Sequence, residues 1–371
     1  MTWSIPLGRV LGTEIRLHLT FLLLLAWIGL AHGAEGGTQA AIEGIVFICL
    51  LFGCVLLHEF GHVLAARRYG IRTPDITLLP IGGVARLERI PENPSEELVV
   101  ALAGPAVNVV IAALLFLVLG GAPPIEIAAS PENPGHSMLG RLFWVNVTLV
   151  VFNLIPAFPM DGGRVLRALL GYRLGHRRAT EIAATVGQVL AFGLGFLGLV
   201  NGAPLLVFVA LFVWLGAGAE SQAVRIRDLS RGMMVADAMI TKFETLPVTA
   251  PISHAVELLL RSSQTDFPVV DGGGRLRGIL TRSDLIRALQ QAGPDSPVME
   301  AMQREVPVVP HRVPLEQALE TMQSAGGPVG VVDGGGRLVG LLTQENLGEM
   351  LMVEAAQASR RPPANPWIGR A

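Results

Sequence analysis

Charge is what this sequence most conspicuously lacks. Charged residues fill 16% of its 371 positions, against about 25% in an ordinary soluble domain. The deficit is local: residues 1–220 hold long apolar runs, whereas 221–360 read as a soluble chain. Cysteine is almost missing as well. Cys49 and Cys54 are the only two and share one apolar run, which excludes both a disulfide scaffold and a cysteine-rich zinc finger. A formal net charge of -2 supplies no broad basic surface, so nucleic acid is not expected as a partner. With 51% hydrophobic residues and a mean hydropathy of +0.52, the chain is neither disordered nor collagen-like. The composition is that of a membrane protein with a soluble tail, long enough for roughly two to three domains.

Six stretches approach the ~20 apolar residues that a bilayer-crossing helix needs. They are 15–31, 41–65, 98–120, 142–158, 182–200 and 203–219. No convincing cleavage site follows the first, which reads as a retained helix rather than a signal peptide. Arginines mark the cytoplasmic ends. Arg9 and Arg16 precede the first span; Arg67, Arg68, Arg72, Arg86 and Arg89 follow the second. Arg164, Arg167, Arg173, Arg177 and Arg178 separate the fourth from the fifth, and Arg225, Arg227 and Arg231 follow the sixth. The alternate loops, 32–40, 121–141 and 201–202, contain only Arg141. The expectation is a multi-pass cell-membrane protein with both termini cytoplasmic. Two segments interrupt the helices. Residues 75–88, DITLLPIGGVARLE, read as a β-hairpin at the cytoplasmic face. Residues 153–163, NLIPAFPMDGG, cannot stay helical, and such backbone is tolerated at membrane depth only against protein or a wet cavity.

The second span contains His58, Glu59 and His62 as H-E-x-x-H. On a helix, positions i and i+4 share a face, so both imidazoles can address one metal while the glutamate serves as base. The motif also arises by chance, but three ionisable groups in five residues of a span are costly and argue for function. A catalytic zinc takes three protein ligands and keeps a fourth position open. Counted from residue 41, His58 lies about 26 Å along its helix, towards the cytoplasmic end. Asp161 follows about 19 residues after the start of the fourth span and reaches the same side. It is either the third ligand or a solvated residue of a Pro-Met-Asp-Gly-Gly turn.

The pairing of HEFGH with NLIPAFPMDGG resembles the site-2 protease family of intramembrane zinc metalloproteases, peptidase family M50, over about residues 1–220. The resemblance implies one catalytic Zn2+ held by His58, His62 and Asp161, Glu59 as general base, and Asn153 positioning the substrate or transition state. GPAVN, ending at Asn108, and Gly82-Gly83 also fit the family. No PDZ insertion separates the two motifs, which points to the branch with a CBS tail.

That tail repeats itself at an offset of 62 residues: PVVDGGGRLRGILTRSDL (268–285) matches a second copy ending at Leu347. Each copy reads strand, D-G-G-G turn, strand, helix, and the pair resembles tandem CBS motifs forming one adenosyl-ligand domain. Thr281 and Asp284 match the family's ribose-binding T-x-x-D, and equally match a capping box. The second copy offers Thr343 and Asn346, a departure from the pattern, so one dominant site at Thr281 and Asp284 is expected.

The expected fold is a polytopic α-helical membrane protein of about six transmembrane helices with a small β-hairpin near the active site, plus a soluble α/β CBS-pair domain. Its parts are a transmembrane protease domain (1–220), a linker (221–232), CBS motifs at 233–292 and 298–354, and a flexible tail (361–371). The expected function is intramembrane hydrolysis of peptide bonds in membrane-anchored substrates within the lipid bilayer, regulated by ATP, ADP or AMP at the CBS pair, with a homodimer through that domain as a further expectation. The rivals are a CBS-gated transporter or channel and a catalytically inactive membrane scaffold.

Overall fold

A computed structural model describes residues 3–89, 91–129 and 137–358. The expected flexible tail, 361–371, and residues 130–136 of the long third loop lie outside the described residues. The chain divides into two units, Met1–Val224 and Arg225–Ala371.

The first unit runs β1 (Ser4–Val10), β2 (Thr13–His18), α1 (Leu19–Arg68), β3 (Asp75–Leu79), β4 (Gly82–Arg86), α2 (Pro94–Leu119), α3 (Glu126–Ala129), α4 (Met138–Asn153), α5 (Asp161–Leu174), α6 (His176–Val200) and α7 (Pro204–Ser230). Among the described residues, four helices are long and apolar enough to cross a membrane, α1, α2, α6 and Pro204–Asp228 of α7; α4 is shorter. Residues 15–18, expected to open the first span, are strand instead. TEIRLH alternates polar and apolar residues with period two, and Thr13 and Ile15 are its buried positions. The helix starts only at Leu19.

The first two expected spans are the arms of α1. The backbone leaves the helix at Gly36 and Gly37, the latter at φ 72°, a left-handed conformation that glycine adopts without steric cost. The arms then pack on each other, Gly29 against Ile45 and Gly44 against Ile28 and His32. The 75–88 hairpin is present: β3 and β4 pair antiparallel from Asp75↔Arg86 to Leu79↔Gly82. It belongs to a larger sheet of order β1-β2-β3-β4, with β2 parallel to β3, and β4 is an edge.

Sequence signals set the ends of α2. Asn93 caps it by accepting from the Ser95 N–H (3.0 Å), Pro94 opens it, Glu96 and Glu97 occupy its first turn, and Gly120 closes it in the left-handed region. Where α1 crosses α2, a Cβ on Gly61 would stand 2.6 Å from the Ala103 carbonyl oxygen, so the crossing requires glycine. The fourth expected span stops at Asn153 rather than 158. The chain then folds back, with a cis Phe158-Pro159 bond, and restarts as α5 at Asp161. Gly162 and Gly163 let the fold-back lie on the α5 start: a Cβ on Gly162 would be 2.2 Å from the Ile155 carbonyl oxygen. Residues 221–230, expected as linker, are the last turns of α7, because nothing breaks the helix before Gly232 at φ 79°.

The second unit runs α8 (Val235–Ala238), β5 (Leu246–Pro247), α9 (Ile252–Arg261), β6 (Asp266–Val270), β7 (Leu276–Thr281), α10 (Arg282–Gln291), α11 (Val298–Ala301), β8 (Val308–Pro310), α12 (Leu315–Ala325), β9 (Val329–Val332), β10 (Leu338–Leu342) and α13 (Gln344–Ala358). Each copy supplies a three-stranded sheet, β5-β6-β7 and β10-β9-β8. The copies exchange their leading segments. Val235 and Ala238 complete the core of the second copy, and Val298 that of the first. Gly278 and Gly340, equivalent in the repeat, leave room for Met302 and Met239 of the opposite copy. Each sheet alone would expose an apolar face, so the two copies bury one another.

Candidate active site

His58 and His62 stand one turn apart on α1, and Asp161 is the first residue of α5. Their exposures are 6%, 5% and 7%. The two Nε2 atoms lie 3.1 Å apart, and each is 3.2 Å from Asp161 Oδ2. Among the described residues, this is the one cluster of three His, Cys, Asp or Glu side chains able to hold a metal ion. The donor set suits zinc: two imidazoles and a carboxylate at the edge lengths of a tetrahedron with ~2.0 Å bonds, which are ~3.3 Å. The space for an ion is also there. A Cβ on Gly104 of α2 would sit 2.3 Å from His62 Nε2 and 2.6 Å from His58 Nε2, so only glycine leaves the centre of the cluster clear. The imidazoles are held from behind: His62 Nδ1 donates to the Val100 carbonyl at 2.7 Å and His58 Nδ1 to Asn108 Oδ1 at 2.5 Å.

Glu59, half-buried, lies under β4. A Cβ on Gly83 would come within 2.7 Å of Glu59 Cγ and 3.1 Å of Oε1, so the Gly82-Gly83 pair allows the edge strand to pass against the glutamate. Asn153 ends α4 and donates its amide to the Leu149 carbonyl at 3.0 Å, outside the three-residue cluster. Sequence reasoning missed two features. Asn146, fully buried on α4, accepts from Asn108 Nδ2 at 2.8 Å; an Asn inside the apolar run FWVNVTLVV was the available signal. Arg167, counted as a cytoplasmic charge, is fully buried. Its Nε donates to Glu97 at 2.6 Å, its Nη1 to Glu220 at 2.5 Å, and its guanidinium lies 5.0 Å from the Phe158 ring centre. This ties α2 and α7 to α5, the helix that begins with Asp161.

In the second unit the two T-x-x-D/N pairs differ in role. Thr281 caps α10 by accepting from the Asp284 N–H. The Asp284 carboxylate is engaged within the protein, accepting from Thr281 (2.7 Å), Arg287 (3.0 Å) and Gln303 (2.9 Å). Thr343 and Asn346 instead line a cavity of about 730 Å³ together with Lys242, Glu244, Asp266, Glu345 and Glu349. Asn346 Oδ1 is buried there without a partner. Burial pushes the Asp266 carboxyl above its ordinary range, and the neighbouring Glu345 charge adds to the effect. The two pairs thus differ: the copy matching the family pattern engages its aspartate in internal contacts, and in the departing copy Asn346 Oδ1 has no partner.

The likenesses to known proteins follow the same division. A sequence profile of peptidase family M50 matches residues 46–129 and 121–194, and one of the CBS domain matches 235–291 and 298–351. Zinc metalloprotease MJ0392 of Methanocaldococcus jannaschii is 33% identical over 347 residues, covering 94% of this chain and 96% of that protein. The solved site-2 protease from the same organism is 38% identical and covers 59% of this chain and 95% of its own, with a TM-score of 0.45. The CBS domain pair of protein MJ0100, solved with 5-methylthioadenosine and S-adenosyl-L-methionine, is 27% identical, covering 33% of this chain and 98% of that one at a TM-score of 0.30. Since the likeness to MJ0392 runs through both units rather than through one motif, the chain belongs to peptidase family M50, the site-2 protease family, as a membrane metalloprotease with a C-terminal CBS pair.

Proposed function

We propose that this protein is a zinc endopeptidase that cuts membrane-anchored proteins within the bilayer, near its cytoplasmic side, with both of its own termini in the cytoplasm. The convergence of His58, His62 and Asp161 on the space kept clear by Gly104 carries the reading. These three residues would hold one zinc ion. When bound, zinc supplies a Lewis acid for the scissile carbonyl and lowers the pKa of water to about 7. Glu59 takes the proton of the attacking water and returns it to the leaving amine. The free edge of β4, pressed against Glu59, offers unpaired backbone groups to a substrate strand. A substrate helix must unwind there, because a helical amide is shielded from attack. Asn153, at the end of α4, is assigned to holding that strand.

The CBS pair is the regulatory unit, and the cavity at Thr343 and Asn346 is its adenosyl site. The buried Asn346 Oδ1 can accept a ribose hydroxyl. Four carboxylates against one lysine line the cavity. Added phosphates meet that negative field, which favours adenosine or AMP over ATP.

Glu59→Gln tests the catalytic assignment. The variant keeps its zinc while cleavage of a tethered membrane substrate falls by ~10²–10⁴. Cleavage near the wild-type rate would overturn the assignment of Glu59. No cleavage by the wild-type chain of any tethered substrate would favour the inactive scaffold.

A further inference from the structure

His62 and His58 are anchored differently. The acceptor behind His62 is a backbone carbonyl, which can only accept, so Nδ1 carries the proton and Nε2 presents its lone pair to Asp161 and His58. The acceptor behind His58 is the Asn108 side chain, and an amide offers an oxygen or an NH₂ depending on how it is turned. Turned the wrong way, it would present N–H groups to Nδ1 and force the ring proton onto Nε2, into the cluster.

The amide is not free to turn. Asn108 Nδ2 donates to Asn146 Oδ1 at 2.8 Å, and Asn146 Nδ2 donates to the Leu142 carbonyl at 2.9 Å. That carbonyl is fixed in the α4 backbone and can only accept. Each link fixes the next: Leu142 orients Asn146, Asn146 orients Asn108, and Asn108 orients the His58 ring. Both asparagines are 0% exposed, so water cannot substitute for a lost link. The relay crosses from α4 through α2 to α1.

We propose that Asn108 and Asn146 are positioning residues of the metal centre: a one-way amide relay from the Leu142 carbonyl that locks His58 in the tautomer whose Nε2 can bind metal. The inference rests on the metal-site reading above. It predicts that what matters at position 108 is an acceptor towards His58, and that Asn146 matters only while position 108 is an amide that can turn. A carboxylate offers His58 an oxygen in either orientation, and its second oxygen meets Asn146 Oδ1 acceptor to acceptor, so Asn146 no longer supports it.

The test is zinc affinity of the full-length protein in detergent, measured by elemental analysis after dialysis against a series of chelators. Wild type binds zinc in a His58-dependent manner. Asn108→Ala binds it about 10–100-fold more weakly, the usual loss when a partner behind a metal-binding histidine is removed. Asn108→Asp stays within a few-fold of wild type. Asn146→Ala weakens zinc binding in the wild-type background and does not weaken it in the Asn108→Asp background. A packing role would weaken both backgrounds alike, so this pair decides the matter even if Asn108→Ala does not fold. Equal zinc affinity in wild type and Asn108→Ala, or equal losses for Asn146→Ala in the two backgrounds, would overturn the relay alone. A wild-type protein with no His58-dependent zinc would overturn the metal-site reading, and the relay with it.

Discussion

Among the described residues, fourteen polar or charged residues are buried, thirteen of them before Val224 and the last, Ser230, at the end of α7. The two regions are built inside out with respect to each other. Among the described residues, the two CBS copies bury no polar residue outright and fill two cores with Val, Leu, Ile, Ala, Phe and Met. The membrane unit turns apolar residues outward, Leu117 and Val118 being 72% exposed, where lipid rather than water meets them. Its polar groups collect inside and pair with one another: the His-His-Asp cluster, the Asn108–Asn146 relay, and Arg167 between Glu97 and Glu220. Those three groups are circuits, and removing one member strands its partners. Ser230, at the end of α7, bonds only within its own helix.

The strongest challenge to that contrast is Gly104→Ala. A methyl group in the centre of the cluster should exclude metal and abolish cleavage, beyond the ~100-fold loss expected from removing an outer partner. Elemental analysis and substrate cleavage read both. Full zinc occupancy in this variant would show that the ion sits elsewhere. Asp161→Ala should also lose zinc, whereas its retention would make Asp161 a capping residue of α5.

Arg167→Leu comes next. It takes the guanidinium from buried Glu97, leaving it only His176 at 3.9 Å, and breaking a buried ion pair costs ~3–5 kcal/mol. Ser230→Ala, which removes one bond to the Ile226 carbonyl, should cost only ~0.5–1.5 kcal/mol. Thermal unfolding of the full chain compares them, and equal losses would dissolve the distinction between circuit and isolated bond.

Within the CBS unit, Asn346→Ala should weaken adenosine or AMP binding by ~3–10-fold, the worth of one hydrogen bond. Asp284→Ala should leave binding nearly unchanged, since its carboxylate is engaged by Thr281, Arg287 and Gln303. Calorimetry of both variants decides which copy carries the ligand, and the reverse pattern would return the site to Thr281 and Asp284.

The smallest effect concerns the two D-G-G-G turns. Asp271 and Asp333 are held below the ordinary carboxylate range, chiefly by the Arg275 and Arg337 backbone N–H groups. A depressed pKa lends stability that is complete above the unfolded value of about 3.9 and disappears as pH falls through the folded one. An Asp271→Asn, Asp333→Asn chain should therefore lose stability less steeply below about pH 4 than wild type. Identical acid profiles would mean that the turns hold without their charges.

Much of the site was readable because its chemistry is written in local patterns. H-E-x-x-H on an apolar helix places two imidazoles and a carboxylate within two turns with no knowledge of the fold. The 75–79 and 82–86 strands follow from β-favouring residues around Pro80 and a glycine pair. The internal repeat exposes two strand–turn–strand–helix units. Readings failed where a local pattern had two meanings. Residues 15–18 are apolar enough to extend a span, but they alternate and pair with β3 as strand. T-x-x-D reads equally as a ribose grip and as a helix cap; the cap is formed at Thr281, and the internal partners of Asp284 include Gln303, nineteen residues away.

By itself the sequence determined the membrane character, the H-E-x-x-H motif and the repeat, because each depends on composition or on spacing within one segment. Only the tertiary structure decided what long-range packing decides. Gly61 and Gly104 bring α2 against α1 closely enough to clear a place for an ion. Asn108 and Asn146 meet from two helices to orient His58. Arg167 leaves the cytoplasmic charge cluster for the interior because Glu97 and Glu220 wait there. Asn346 rather than Asp284 keeps an open acceptor, since each copy's polar atoms are satisfied or stranded by neighbours distant in sequence. Those outcomes depend on which surfaces meet, and no single segment contains that information.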